Sequence, residues 1–131
     1  MSDLSETFFT SVGCMDGRVQ TPVSEYGKKK FGVLFADTVT EAGLVGLLAN
    51  NPSPELLESI KKKILISIEK HHSKGILVHG HEECAGNPVE DNIHKENVLK
   101  AAVVLGSMVS GVEIVPLFVV KKNGLWVAEE I

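Results

Sequence analysis

Two cysteines are present in the 131-residue chain, and each sits in a short polar segment that follows an apolar run. Cys14 opens CMDGR, and Cys84 closes HEEC, three positions after His81. Thiolate and imidazole are the donors zinc prefers. Two thiolates with one imidazole form a catalytic rather than a structural set, because a fourth tetrahedral position stays open for water or substrate. The His-x-x-Cys spacing lets one short turn aim both side chains at a single ion, and the small residues Ala85 and Gly86 let the backbone fold closely behind it. The spacing alone is a weak signal. A second cysteine in a comparable strand-end position strengthens it, so Cys14, His81 and Cys84 are the expected metal ligands.

Asp16 and Arg18 add chemistry beyond ligation. A guanidinium fork can hold a carboxylate in fixed geometry and keep it ionised, free to accept a hydrogen bond from a metal-activated water. The same pair would be unremarkable as a strand-end ion pair if CMDGR stood without HEEC. His79 shares a strand face with His81 and is a rival ligand. The spacing to Cys84 favours His81, which leaves His79 as a packed or supporting histidine. His71 and His72 fall at the expected C-terminus of a helix, where the dipole accounts for them without catalysis. His71, His72, His79 and His94 are proton-relay candidates by residue type alone, and Glu82 and Glu83 read as solvated turn residues.

The elements that must position these groups follow from periodicity. TFFTSVG (residues 7–13) reads as a strand that delivers Cys14, and FGVLFAD (31–37) as a second strand. Between them, VQTPVSEYGKKK holds a proline, a glycine and a lysine triplet, and the triplet reads as a solvated turn. NNPSPELLESIKKKILISIEKHHSKG is the clearest helix. Ser53 suits its N-cap, Pro54 its first turn, and Leu56, Leu57, Ile60, Ile64 and Ile68 its buried stripe, with Gly75 as the stop. GILVHGH is an inner strand that delivers His81. EDNIHKENVLKAAVVLGSMV is a second helix with Ile93, Val98, Ala101, Ala102 and Leu105 on its apolar face. VEIVPLFVV and LWVAEEI flank a KKNG turn as a closing strand pair. The order predicts a single α/β domain over residues 1–131, three-layered with a mostly parallel sheet, whose working loops lie at the carboxyl ends of the strands.

Composition narrows the partners. Hydrophobic residues at 44%, charged residues at 23% and a formal net charge of -4 describe an ordinary globular chain with no electrostatic reason to bind nucleic acid or an anionic membrane. The opening MSDLSETFFTSVG has neither a basic leader nor a long apolar run, and no later apolar stretch is long enough to span a bilayer, so the expected location is cytoplasmic.

Cys-x-Asp-x-Arg after one strand and Gly-His-x-x-Cys-x-Gly after a later one resemble the signature of the β-class carbonic anhydrases; here they read CMDGR and GHEECAG. RVQTP after the first motif and the closing GVEIVPLFVVKKNGLWVAEE extend the resemblance over most of the chain. It implies Zn2+ on Cys14, His81 and Cys84, with Asp16 held by Arg18 beside the open position. The implied reaction is reversible hydration of CO2 to bicarbonate and a proton, in a homodimer or higher homo-oligomer. Hydrolysis of carbonyl sulfide or carbon disulfide, an inactive zinc-binding or regulatory module, and a Cys14–Cys84 redox pair are the alternatives. The chain departs from the family where Arg-Asn-Ala-Gly-Asn usually follows the second strand. ADTVTEAGLVG stands there, without the arginine or either asparagine.

Overall fold

A computed structural model describes residues 5–131. Five strands, β1 (Phe8–Cys14), β2 (Phe35–Glu41), β3 (Ile76–His81), β4 (Ile114–Lys122) and β5 (Leu125–Glu130), form one sheet in the order β2-β1-β3-β4-β5. The first four run parallel and β5 returns antiparallel on β4. Asn123 and Gly124, both at positive φ, make the hairpin turn that KKNG predicts.

Helices cover both faces. Helix α1 (Gly17–Phe31) lays Val19 and Val23 against Phe9, Leu77, Leu117 and Val119 on one side. On the other, α2 (Leu44–Ala49), α3 (Pro54–Lys70) and α4 (Asp91–Met108) pack Leu44, Leu48, Ile60, Ile64, Val98 and Leu105 on Val12, Ile76, Val78 and Phe118. This is the expected three-layer α/β arrangement. β1 leads to β2 on one side, and the chain then crosses over β1 to reach β3, so the direction of winding reverses between β1 and β3. In such sheets the crevice at the carboxyl ends of those two strands is the preferred ligand position. Cys14 ends β1 and His81 ends β3.

Helix α3 follows its sequence signals. The Ser53 hydroxyl accepts from the Leu56 amide at 3.2 Å, and Pro54 opens the first turn. It ends at Lys70 rather than at Gly75. Gly75 instead makes room for Phe31, whose ring would lie 2.2 Å from a Cβ there.

Three further expectations need correction. The lysine triplet read as a solvated turn, and the VQTPVSEYGKKK stretch that holds it, belong to α1, with Asp16 as its N-cap and Gly32 closing it in the left-handed conformation. Lys28, Lys29 and Lys30 occupy its last turn, where cations suit the dipole. The second strand begins at Phe35 rather than Phe31, because Phe31 still belongs to α1. Ile93 is 45% exposed, and its expected place on the buried face of α4 is taken by His94 and Asn97. Among the described residues no helix is long and apolar enough to cross a membrane.

Candidate metal centre

Cys14, His81 and Cys84 converge at the crevice, buried, with one potential ligand atom from each within 4.8 Å of the others. Parallel pairing of β1 with β3 sets Gly13 beside His79, so both strands end side by side, and the turn after His81 returns Cys84 toward Cys14. The two sulfurs are 3.8 Å apart. A tetrahedral zinc with Zn–S bonds near 2.3 Å separates two sulfurs by about 3.8 Å, so the sulfur–sulfur spacing fits that ion. His81 is prepared in the same sense. Its Nδ1 donates to the Glu82 carbonyl at 2.6 Å, while Nε2 is buried with no hydrogen-bond partner. A buried ring nitrogen with a free lone pair beside two sulfurs is the donor set expected of a metal site.

The electrostatics divide the cysteines. Burial alone would raise the Cys14 thiol, but the adjacent His81 imidazole and the Gly43 and Asp16 backbone hold it at about 7. Burial pushes Cys84 up, and the charge on Cys14 adds to the effect. His81 is disfavoured as a cation by burial, yet Cys14 and Asp16 raise it on balance. A divalent ion bound to these three side chains would displace the protons they still carry.

Asp16 and Arg18 pair as the sequence suggests. Arg18 Nη2 donates to Asp16 Oδ2 at 2.7 Å, Nε to Oδ1 at 3.1 Å, and the Arg18 amide to Oδ1 at 2.8 Å. These bonds, chiefly the guanidinium ones, hold the Asp16 carboxyl down at about 2. Asp16 Oδ2 lies 3.9 Å from His81 Nε2, at the edge of the three-donor cluster.

The other histidines are not among the three grouped donors, although the His94 ring lies 6.1 Å from that of His81. His79 is wholly buried with Nε2 3.3 Å from Ser11 Oγ, and its ring fills the space a Cβ on Gly13 would need. His94 is buried between Gly80 and Phe118. His71 binds Asp37 at 2.7 Å and stacks on Phe8. His72, next to it at the C-terminus of α3, adopts a positive φ.

Sequence reasoning missed three participants. The Gly43 amide donates to Cys14 Sγ at 3.4 Å. Glu83, expected to be solvated, accepts from Arg18 through its carboxylate at 3.2 Å and its carbonyl at 3.0 Å. Trp126 lies beneath Arg18, 4.7 Å from guanidinium carbon to ring centroid.

The sequence matches a family model described as "Putative carbonic anhydrase" over residues 4–130. No curated protein sequence matches it individually. Among solved structures, the carbonic anhydrase of Streptococcus mutans is similar with a TM-score of 0.59 at 15% identity, over 100% of this chain and 87% of that one. The β-carbonic anhydrase CafA of Aspergillus fumigatus gives 0.56 at 18% identity, over 97% and 76%. The carbonic anhydrase of Glaciozyma antarctica gives 0.58 at 15% identity, over 96% and 84%. At these identities the likeness establishes the fold.

Proposed function

The chain belongs to the family of putative carbonic anhydrases, and from that premise we propose that it catalyses reversible hydration of CO2 to bicarbonate and a proton, with Zn2+ held by Cys14, His81 and Cys84. The observation that carries this reading is the buried Cys-His-Cys cluster, its two sulfurs 3.8 Å apart, with an ionised carboxylate at its edge. Zinc in such a site supplies an activated water whose pKa falls from about 15.7 toward about 7.

The chain's own residues prepare that chemistry. Held well below the ordinary carboxylate range by Arg18, Asp16 stays an acceptor at neutral pH and cannot itself donate a proton. With zinc bound, Asp16 would accept a hydrogen bond from the reacting water and so point a lone pair at CO2. The bond from His81 Nδ1 to the Glu82 carbonyl fixes the tautomer that offers Nε2 to the metal. The Gly43 amide stabilises negative charge on Cys14.

A homodimer accords with this reading. β2 is a sheet edge, and Leu34 and Phe35 at its start are 57% and 41% exposed. The two free thiols suit a reducing compartment such as the cytoplasm.

The test is stopped-flow CO2 hydration by protein whose zinc content is measured in the same sample. A rate well above buffer, rising with an apparent pKa near neutrality, is expected. No rate at full zinc occupancy would retire CO2 as the substrate and direct the assay to carbonyl sulfide and carbon disulfide.

A further inference from the structure

The chain contains one arginine, Arg18, and one tryptophan, Trp126, and they are in contact across the mouth of the metal centre. Trp126 stands on β5, an edge strand far from the metal-binding motifs in sequence, and is half-buried. The guanidinium carbon of Arg18 lies 4.7 Å from its ring centroid, and its indole meets the His81 ring edge-on at 6.4 Å. The Lys121 ammonium, from the residue paired with Trp126 across the hairpin, is 5.8 Å from the same ring.

From this contact we infer that Trp126 is a positioning residue for the Asp16–Arg18 pair, its ring fixing the plane in which the guanidinium presents Asp16 to the open side of the cluster. The inference rests on the carbonic anhydrase reading for its catalytic consequence but not for the contact itself. The Arg18 side chain is 42% exposed and the Glu83 side chain 54%. The bidentate contact fixes Arg18 against Asp16, but ion pairs this open to solvent seldom hold the long side chain itself in one place. A flat aromatic face supplies the missing constraint, because a guanidinium stacks on it while its edge hydrogens stay free to donate in plane. Those donors are used in full directions: Nε and Nη2 to Asp16, Nη1 and Nη2 to Glu83. Trp126 thus ties the hairpin to both metal-binding segments through one side chain. It touches no reacting atom, so its effect on rate passes through the orientation of Asp16.

One arginine and one tryptophan give single, unambiguous side-chain signals in an NMR spectrum. In the zinc-loaded wild type the Arg18 side-chain protons are expected to shift upfield and to show cross-relaxation with the indole, with slow solvent exchange at Nε–H. Trp126→Leu should lose the slow exchange while keeping its zinc, and Trp126→Phe, which retains an aromatic face, should preserve it. CO2 hydration should follow the same split. A fall of about 10- to 100-fold in kcat is expected for Trp126→Leu, with little change in KM, and near wild-type turnover for Trp126→Phe.

Absence of the upfield shift and cross-relaxation in the wild type overturns the inference without any variant, so it stays testable if Trp126→Leu does not fold. Equal Arg18 exchange in Trp126→Leu and wild type overturns it too. A zinc-loaded wild type that does not hydrate CO2 refutes the proposed reaction instead, and the Arg18 signals then decide the positioning role alone.

Discussion

Gly32 and Gly43 form a matched pair that separates backbone strain from steric crowding at the metal centre. Both have φ of 64°, with ψ of 42° and 33°. A Cβ on Gly32 would meet nothing within 4 Å, whereas one on Gly43 would lie 2.4 Å from both the carbonyl carbon and oxygen of Gly86. Alanine at either site carries the left-handed cost of about 1–2 kcal/mol. At Gly43 the Gly86 backbone must also withdraw by about 1 Å to restore ordinary contact, and crowding of that kind costs a further 1–3 kcal/mol or so. Gly32→Ala is therefore expected to lower unfolding stability by about 1–2 kcal/mol and Gly43→Ala by about 2–5 kcal/mol. The larger change also reaches the ligands, since Gly86 lies two residues beyond Cys84 and the Gly43 amide donates to Cys14 Sγ. Zinc affinity should fall about 10- to 100-fold in Gly43→Ala, the usual cost of disturbing an outer-shell partner, and stay unchanged in Gly32→Ala. Urea unfolding of both variants, with zinc competition against a chromophoric chelator, measures both quantities. Equal destabilisation and equal zinc affinity in the two variants would refute the claim that the close approach of these loops shapes the site.

Cys84→Ser should weaken zinc binding by more than the roughly 100-fold that an outer-shell loss costs; full zinc occupancy in that variant after dialysis against a chelator would dismiss Cys84 as a ligand. Asp16→Asn keeps the shape but removes the charge held by Arg18, so it should retain zinc and lose about 10- to 100-fold in CO2 hydration. An unchanged rate would remove the proposed acceptor role. Acid stability tests the packed histidines: burial holds His79 at about 3 and His94 at about 4, both below the ordinary 6.5. As pH falls below 6.5 the unfolded chain takes up protons that the folded chain refuses, so each contributes a loss of about 1.4 kcal/mol per pH unit until its folded pKa is reached. In urea titrations from neutral pH downward, His79→Leu should remove one such share of the slope, and an unaltered slope would mean that His79 titrates normally in the fold.

Legibility in the sequence tracked how local each signal was. HEEC states its geometry within four residues, and α3 carries its stripe, cap and proline in one continuous segment. Helix α1 was hidden because Pro22 and Gly27 read as breakers. Gly27 is there for packing: a Cβ on it would lie 2.1 Å from Phe9 Cζ, so only glycine lets the helix settle on β1. The start of β2 was misplaced because Phe31 and Val33 are apolar for the sake of the α1-side core, while the edge strand itself fully buries only Val39. In α4 the stripe is interrupted by His94 and Asn97, polar residues that occupy buried positions and conceal the face from a hydrophobicity pattern. The contacts of Glu83 and Trp126 with Arg18 join segments 65 and 108 residues away in sequence, and no local pattern encodes them.

The departure at ADTVTEAGLVG takes on a different weight once its backbone is considered. Setting the Ala-Gly of the family's Arg-Asn-Ala-Gly-Asn on Ala42-Gly43 of this segment puts Thr40, Glu41 and Leu44 at the changed positions. Gly43 needs to be glycine on two counts, its positive φ and its contact with Gly86, and its amide reaches the Cys14 sulfur. None of these contributions comes from a side chain. Of the replaced positions, Leu44 is fully buried in the core and Glu41 is exposed at the end of β2 beside Cys14. The segment thus keeps the part that holds the ligands while its side chains have moved to other tasks. Divergence here is expected to alter what approaches the centre more than the centre itself, which is why the metal-affinity and turnover measurements must be made on the same sample.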